Sequence, residues 1–569
     1  MKILTVSRLA VLALCAFVTS CGGPSAPVVE RPDLVTLSVV GTNDLHGHVE
    51  ALPLFAGYLA ALRGARAEDG GEVVLLDGGD MFQGTLESNL LEGAPVVTAY
   101  AALGYDAVTL GNHEFDYGPV GEAVTPTDPS HDPRGALLAR VAQAGYPFLS
   151  ANLLVSETGE RIDWAGVLPM TVFEKAGVRV GVIGVTTEST LSTTIAANVA
   201  DLAMAPLAAS IERHALRLRA DGVHVVLVAA HAGGICESFD DPHDLASCED
   251  DQEIFEVARA LADGAVDAIV AGHTHRGVAH VVDGVPIIES FSYGRAFGRV
   301  DLTVDRRAGR VVDVRVHAPR DLCAAGRLDH GDCVPGSYEG RAIALTDPRI
   351  EALLAPAVEN ARALRAEPLG VTLTAEATAS RNDECAVGNL FTDLMLAARP
   401  AADVAFTNGG GLRANLPAGA LDYGALHTSN PFDNRFALVR LTVGQLAAIL
   451  ADTLSRDGSF YSISGMRAVG RCEDGAVHVT IVDDVEGATP MDPEREITLV
   501  TSDFLATGSH SPFATLPEEQ VVLETEETIR DAMADALRGR GGELDPDVLF
   551  DVSAPRIRFE GARPLSCAP

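Results

Sequence analysis

The length, composition and charge of the chain exclude several classes of protein. With 569 residues, 47% hydrophobic and 21% charged, the sequence is typical of a globular protein too long for one hydrophobic core. Its 79 acidic residues against 42 basic ones give a formal net charge of −37. Such acidity argues against a nucleic-acid polymer as partner, because that binding depends on basic surface. We therefore expect two large domains, and a small anionic substrate would have to be attracted by local charge.

The N-terminus has the pattern of an export signal. A basic start precedes an apolar run over residues 9–18, and Val18-Thr19-Ser20-Cys21 resembles the lipobox of bacterial lipoproteins, in which the cysteine becomes the lipidated first residue. The alternative is an ordinary cleaved signal with an incidental cysteine. No later stretch approaches the roughly 20 apolar residues of a transmembrane helix. We expect an exported protein, periplasmic or at the cell surface, held to the membrane only by a lipid anchor at Cys21.

Short β-branched runs alternate with Ala/Leu-rich stretches from residue 35 to about 316, which predicts a layered αβ domain. Five of these runs end in polar residues that can bind metal. The runs are residues 35–40, 73–76, 107–110, 223–230 and 266–271, and they are followed in turn by Asp44 and His46, by Asp80, by Asn112 and His113, by His231, and by His273 and His275. Because sites collect at the carboxyl ends of strands in αβ sheets, we expect these side chains to meet.

The donor types at the strand ends indicate a metal centre. Carboxylate, amide and imidazole groups are hard oxygen and borderline nitrogen donors that suit Zn²⁺ or Mn²⁺. A single buried histidine is more often a hydrogen-bonded core residue than a ligand. A purely structural explanation for all of them would need each polar group to be buried and separately satisfied.

These motifs carry a resemblance to a known family. Asp44-x-His46, Gly79-Asp80, Gly111-Asn112-His113-Glu114, His231 and Gly272-His273-Thr274-His275 resemble, in order, the five blocks of the calcineurin-like metallophosphoesterases. Their longer forms resemble the bacterial and extracellular 5′-nucleotidase branch. The resemblance implies an α/β fold, α+β layered, with a four-layer β-sandwich metallophosphoesterase domain flanked by helices. A linker helix and a second α/β C-terminal substrate-specificity domain would follow.

The resemblance also implies a role for each ligand. It implies two divalent metal ions (Zn²⁺, Mn²⁺ or Co²⁺), one held by Asp44, His46, Asp80 and His275 and the other by Asp80, Asn112, His231 and His273. Asp80 would bridge them, and a water activated by the pair would attack phosphorus. His113 would stabilise the transition state or protonate the leaving oxygen, and Asp116 would orient it. His48 is expected to support the ligands rather than to bind metal.

The C-terminal part carries motifs that resemble the branch's substrate-binding loops. Arg381-Asn382-Asp383-Glu384 resembles its arginine motif, and the segment from Asn408 through Gly410 to Arg413 resembles its glycine-rich loop. Two arginines and loop N–H groups can hold a phosphate. Phe432 and Phe504 match the aromatic pair that sandwiches a base, which is worth roughly 1–3 kcal/mol per base. The alternatives are a surface ion pair for Arg381, a tight turn for the glycines and core positions for the phenylalanines.

The implied function is metal-dependent hydrolysis of nucleotide phosphate monoesters, of 5′-nucleotidase type, outside the cytoplasm. One loop departs from the pattern: Gly508-Ser509-His510-Ser511-Pro512 stands where the branch has an aspartate that reaches the ribose hydroxyls. That change leaves open a 2′,3′-cyclic nucleotide, a nucleotide sugar or sulfur-carrier thiosulfohydrolase chemistry as the substrate class. The contrasting class is a non-catalytic surface binding lipoprotein.

The domain division follows from these assignments. We expect a lipoprotein signal peptide over residues 1–21, a tether over 22–34, a calcineurin-like metallophosphoesterase domain over 35–320, a linker with a connecting helix over 321–367, and a 5′-nucleotidase C-terminal substrate-binding domain over 368–562. Export permits disulfides. Cys236 with Cys248, and Cys323 with Cys333, would each close a short loop, whereas the sequence alone does not pair Cys385, Cys472 and Cys567.

Overall fold

The computed structural model describes residues 33–121, 125–126, 128, 130–328, 330–483, 489–508 and 511–567. The predicted signal peptide, Cys21, and the pair Ser509 and His510 of the altered loop lie outside the described residues. Within the described part of the chain, no helix combines the length and the apolar character needed to span a bilayer.

Two stacked sheets form the centre of the N-terminal half. In spatial order the seven-stranded sheet contains Arg310–Asp321, Ala296–Asp305, Leu34–Thr42, Glu72–Asp77, Ala107–Thr109, Phe148–Leu149 and Val167–Leu168. The six-stranded sheet contains Gly277–Val282, Val285–Ser290, Ala268–Val270, Val225–His231, Val178–Thr186 and Met170–Lys175. The central strands are apolar and buried along their length because both faces of each sheet are covered.

Helices cover the outer faces of the two sheets. They are Leu52–Asp69, Leu86–Asn89, Ala94–Leu103, Gly135–Gln143, Thr190–Thr193, Ala196–Val199, Leu207–Ala220 and Glu253–Ala260, and a ribbon pairs Leu153–Val155 with Leu202–Met204. Side chains of both sheets, among them Val39, Leu76 and Leu227, pack between them in one apolar layer. The helix–sheet–sheet–helix arrangement confirms the predicted four-layer sandwich.

The topology brings the predicted ligand loops to one edge. Leu34–Thr42, Glu72–Asp77 and Ala107–Thr109 run parallel in one sheet, and Val225–His231 runs parallel to Ala268–Val270 in the other. All five expected strands are present, with ends shifted by a few residues. Parallel strands place their carboxyl ends on the same side of a sheet, so the loops that follow them converge.

A connecting segment with one long helix joins the two halves. It contains short strands at Cys323–Ala325, Val334–Pro335, Ser337–Tyr338 and Arg341–Ala342, followed by the helix Pro348–Arg365. Asp347 caps this helix by accepting the N–H groups of Arg349 and Ile350, at 2.9 and 3.3 Å. The structure therefore contains the connecting helix that the sequence analysis expects between the two domains.

The C-terminal half is also built from sheets and helices. Its five-stranded sheet contains Tyr461–Ser464, Val404–Asn408, Glu496–Ser502, Arg435–Thr442 and Val521–Thr528, and two three-stranded sheets contain Gly419–Asp422, Pro368–Leu373 and Gly542–Leu544, and Ala476–Asp483, Met466–Glu473 and Ile557–Arg558. The helices are Ala386–Ala398, Tyr423–Ser429, Val443–Ser455, Asp503–Thr507, Ile529–Arg540 and Pro546–Leu549. Two apolar clusters pack in this half, which therefore has a core of its own.

The described residues contain three disulfides, one in each half and one in the connecting segment. Cys236–Cys248 and Cys323–Cys333 form as the sequence predicts, and Cys472 pairs with Cys567 across 95 residues. Cys385 is a buried free thiol.

The two halves contact each other beside the predicted site. Arg365 of the connecting helix forms a bidentate ion pair with Glu87, and Gln83 Nε2 donates to the carbonyl of Pro431 at 3.3 Å. The edge of the first half that carries the predicted ligands therefore faces the loop that carries Phe432.

Candidate metal centre and substrate cleft

Three predicted ligands form a first group of donors. Asp44, His46 and His275 each offer one atom, and these atoms all lie within 4.8 Å of one another. His46 Nε2 is 3.0 Å from His275 Nε2, which is 3.5 Å from Asp44 Oδ1. Asp44 and His46 are buried, so the donors are desolvated and point inward.

A second group contains Asp80, His231 and His273, again within 4.8 Å. His231 Nε2 lies 3.2 Å from both Asp80 Oδ2 and His273 Nδ1. Asn112 Oδ1 joins this group at 2.9 Å from His231 Nε2 and 3.1 Å from His273 Nδ1. All seven predicted ligands are therefore brought together.

Asp80 stands between the two groups. Its Oδ2 is 3.8 Å from His46 Nε2 in the first group and 3.2 Å from His231 Nε2 in the second. Ligands about 2.1 Å from an ion lie about 3.0–3.4 Å apart in octahedral or tetrahedral coordination, which is close to the separations within each group. The donor set fits two cations that share Asp80.

Backbone carbonyls orient two of the imidazoles. His46 Nδ1 donates to the carbonyl of Gln83 at 2.7 Å, and His231 Nδ1 donates to that of Gly78 at 2.8 Å. Because a carbonyl only accepts, Nδ1 carries the proton and the Nε2 lone pair faces the site. Asn112 Nδ2 donates to the carbonyl of Thr193 at 3.3 Å, which turns the amide oxygen toward the metal-binding groups.

Backbone strain is concentrated at the predicted ligands. Asp44, His46, Asp80, His273 and His275 all have positive φ, between 48° and 89°. This conformation costs a non-glycine residue roughly 1–2 kcal/mol, so the surrounding fold must impose it. Gly111 is required for close approach, since a Cβ there would lie 2.1 Å from Asp80 Oδ1.

The histidines differ in their proton affinity. Burial lowers the pKa of His273 to about 3 and that of His275 to about 4, and it lowers the pKa of His46 well below its usual range. These rings are neutral near pH 7, as metal ligation requires. Burial would also lower the pKa of His231, but the Asp80 carboxylate raises it to about 10. A cation bound at this group would take the place of that proton.

His113 and Asp116 form a pair beside the ligands. His113 Nδ1 lies 2.5 Å from Asp116 Oδ2, and its backbone N–H donates to Asp80 Oδ1 at 2.9 Å. Burial would lower the pKa of His113, but Asp116 and Asp80 raise it to about 9. Cations at the two groups would oppose this rise. The pair leaves Nε2 of His113 as the ring nitrogen available to a ligand in the adjacent cleft.

Buried polar residues to which the sequence assigned no role support the ligand loops. Glu114 accepts the backbone N–H groups of Asp80, Met81 and Gly111 at 2.7–2.9 Å. Glu289 accepts those of Gly234 and Thr274 at 2.9 and 3.2 Å. Glu114 lies inside a recognised motif, whereas no local pattern marks Glu289. His48 pairs with Glu50 at 2.7 Å and belongs to neither donor group.

A cleft of about 340 Å³ lies between the two halves next to His113. Its lining includes all six predicted substrate-binding residues together with the histidine pair: Arg381, Asn408, Gly410, Arg413, Phe432, Phe504, His113 and Asp116. The Arg413 guanidinium lies 5.1 Å from the centre of the Phe432 ring. Within the described residues neither Arg381 nor Arg413 forms an ion pair with a carboxylate, so both cationic groups are available to a ligand.

Comparison with known proteins finds matches to both halves. Residues 37–277 match the family described as calcineurin-like phosphoesterase, and residues 366–518 match the 5′-nucleotidase C-terminal domain. Together the two ranges cover more than half of the chain. They correspond to the half that holds the donor groups and to the half that completes the cleft.

Individual relatives and a solved structure are similar over most of the chain. Protein UshA of Yersinia enterocolitica is 26% identical over 512 residues, covering 84% of this chain and 86% of UshA. Endonuclease YhcR of Bacillus subtilis is 26% identical over 501 residues, covering 84% of this chain but 38% of that longer protein. The crystal structure of a 5′-nucleotidase precursor from Thermus thermophilus shares the fold, with a TM-score of 0.65, 24% identity, and coverage of 92% of this chain and 99% of that one.

Proposed function

Because the chain belongs to the calcineurin-like phosphoesterases that carry a 5′-nucleotidase C-terminal domain, we propose that it releases phosphate from nucleotides by metal-dependent hydrolysis of the phosphate monoester. One observation carries this proposal: two donor groups that share Asp80 adjoin His113 at the wall of a cleft whose other wall holds Arg413 and Phe432. Such a cleft can hold a phosphate against the donors and a flat base further away.

The proposed roles follow from the chemistry of each side chain. Asp44, His46, Asp80, Asn112, His231, His273 and His275 would hold two divalent cations, with Zn²⁺, Mn²⁺ and Co²⁺ as the candidate ions. When bound, the pair would neutralise phosphate charge and lower the pKa of a water molecule. His113, oriented by Asp116, donates a proton to the oxygen that leaves with the nucleoside.

The C-terminal half provides the substrate contacts in this proposal. Arg381 and Arg413 bind phosphate oxygens from the side opposite the cations, and the loop that contains Asn408 and Gly410 adds N–H donors. Phe432 and Phe504 stack on the base, which tolerates several bases because each has a π face. In the altered loop at Gly508–Pro512, Ser509 and His510 lie outside the described residues. The substrate panel below measures the sugar preference.

The location and domain limits complete the proposal. Export of the chain and a lipid anchor at Cys21 are supported by the signal pattern, and three disulfides suit an oxidising compartment. We assign the catalytic domain to residues 35–320, the connecting segment to 321–367 and the substrate-binding domain to 368–562.

A substrate panel tests the function. The protein is stripped with a chelator, and Mn²⁺, Zn²⁺ or Co²⁺ is added back. Hydrolysis of each substrate is followed by chromatography of its product, and released phosphate is measured in parallel. AMP, UMP, ADP-ribose, 2′,3′-cyclic AMP and p-nitrophenyl phosphate are compared, with a thiosulfate-conjugated thiol as the sulfur-carrier arm. The proposal expects metal-restored hydrolysis with kcat/KM highest for nucleoside 5′-monophosphates. Metal-restored activity confined to another arm would reassign the substrate, and no activity with any metal would reject the enzyme.

A further inference from the structure

The segment that contains the helices Thr190–Thr193 and Ala196–Val199 contacts the loop that holds His113. Thr194 connects the two helices in extended conformation, with φ −122° and ψ −177°. Its side chain is 2% exposed, and its Oγ1 donates to Asp116 Oδ1 at 2.7 Å. The other carboxylate oxygen of Asp116 is the one bonded to His113 Nδ1. Thr194, Asp116 and His113 therefore form a continuous hydrogen-bonded chain.

Neighbouring contacts fix the same segment to the same loop. The carbonyl of Thr193 accepts from Asn112 Nδ2 at 3.3 Å, and Asn198 Nδ2 donates to the carbonyl of Phe115 at 2.8 Å. A carboxylate attached only to a histidine can rotate about its side-chain bonds. A second bond, to the oxygen that the histidine does not use, removes that freedom.

We propose that Thr194 is a positioning residue for the hydrolysis: it holds the Asp116 carboxylate in the orientation that aims His113 at the leaving oxygen. This inference rests on the proposed function. In the step concerned, a water oxygen bonds to phosphorus and loses a proton to solvent while the bond from phosphorus to the nucleoside oxygen breaks. That oxygen keeps the electron pair and takes the proton from His113 Nε2, which solvent later restores.

The leaving group distinguishes this role from a structural one. A nucleoside alkoxide is a poor leaving group that needs the proton, whereas p-nitrophenolate delocalises its charge and leaves without one. Misorientation of His113 therefore slows AMP hydrolysis far more than p-nitrophenyl phosphate hydrolysis. A general loss of folding or of metal would slow both equally.

The test uses Thr194→Val, which keeps the side-chain shape but removes the hydroxyl, and Thr194→Ser, which keeps the hydroxyl. Thr98→Val is the matched control: the Thr98 hydroxyl donates to the carbonyl of Ala94 and accepts from Gln143 Nε2, both at 2.9 Å, and neither partner belongs to the site. All variants are measured at saturating Mn²⁺ with both substrates, and their Mn²⁺ affinity and melting temperature are recorded.

We expect Thr194→Val to lower kcat for AMP about tenfold and kcat for p-nitrophenyl phosphate less than about threefold. General-acid catalysis contributes roughly 10²–10⁴-fold, and only part of it is lost because Asp116 still bonds to His113 in this variant. Thr194 is part of the cleft lining, but its hydroxyl donates to Asp116, so we expect KM to change little. Thr194→Ser and Thr98→Val stay within about twofold of the unmodified protein.

Equal losses on the two substrates, a Thr194→Ser variant as slow as Thr194→Val, no loss at all, or a parallel fall in Mn²⁺ affinity would each overturn the inference. These results are readable only against an unmodified protein that hydrolyses both substrates. Failure of that protein to do so would instead reject the proposed function.

Discussion

Glu114 offers a test of how the fold holds Asp80, the proposed bridging ligand. Its carboxylate is 1% exposed and accepts three backbone N–H groups, those of Asp80, Met81 and Gly111. Asp80 sits in the left-handed region at φ 58°, a conformation that needs support. In Glu114→Gln one carboxylate oxygen becomes an NH₂ group of nearly the same size.

The magnitude follows from the hydrogen bonds. Oε2 serves the N–H groups of Asp80 and Gly111, while Oε1 serves that of Met81. A glutamine can keep the first two by placing its oxygen there, but its NH₂ then faces the N–H of Met81. Two buried donors then face each other without an acceptor. At about 1–3 kcal/mol for each unsatisfied group, we expect a loss of about 2–6 kcal/mol in the free energy of unfolding. Loss of support around a ligand weakens metal binding about 10- to 100-fold.

The assay is a titration of chelator-stripped protein with Mn²⁺, followed by calorimetry and by recovery of phosphate release. Glu256→Gln, at an exposed position of the helix Glu253–Ala260, makes the same chemical change where no ligand loop is attached. The midpoint for Glu114→Gln should move to higher Mn²⁺ by at least about tenfold, and that for Glu256→Gln should not move. An unshifted midpoint and normal turnover in Glu114→Gln would refute the reasoning that this carboxylate holds Asp80 in place.

Two further predictions concern the substrate cleft and acid stability. Phe504→Ala should raise KM for AMP about 5- to 150-fold, the equivalent of roughly 1–3 kcal/mol of stacking, and should change KM for p-nitrophenyl phosphate far less. Equal effects on the two substrates in steady-state assays would count against stacking of the base on Phe432 and Phe504. Burial lowers the pKa of His427 to about 2, so only the unfolded chain takes up this proton below its ordinary pKa of about 6.5. The free energy of unfolding therefore falls by about 2 kcal/mol between pH 7 and pH 5. In urea unfolding at several pH values, His427→Gln should remove that part of the pH dependence. An unchanged pH dependence in the variant would contradict the prediction.

The sequence predicts the strand ends well because their signal is local. Residues 223–230 form a β-branched run, and the polar residue that follows it, His231, is a ligand candidate by chemistry alone. Asp347 and Pro348 predict the start of the helix Pro348–Arg365, because Asp favours the N-cap and Pro the first turn of a helix. Such features depend on neighbours in the chain, so they can be read without the fold.

The remaining features depend on packing between distant segments. Glu289 reaches the loop of Thr274 only because two strands of one sheet pair beside it. Thr194 contacts Asp116 across 78 positions, and its own surroundings in the sequence are those of an ordinary polar turn. Cys472 and Cys567 lie close together because the C-terminal strand Ile557–Arg558 pairs with the strand Met466–Glu473.

Metal counting tests directly whether one carboxylate, that of Asp80, joins two cation sites. Stripped protein and its Asp80→Ala variant are dialysed against Mn²⁺, and the bound ions per chain are measured together with AMP hydrolysis. We predict two ions per chain for the unmodified protein, fewer than two for Asp80→Ala, and no measurable turnover in that variant. An unmodified chain that takes up no Mn²⁺, or an Asp80→Ala variant that keeps two ions and near-normal turnover, would contradict the account.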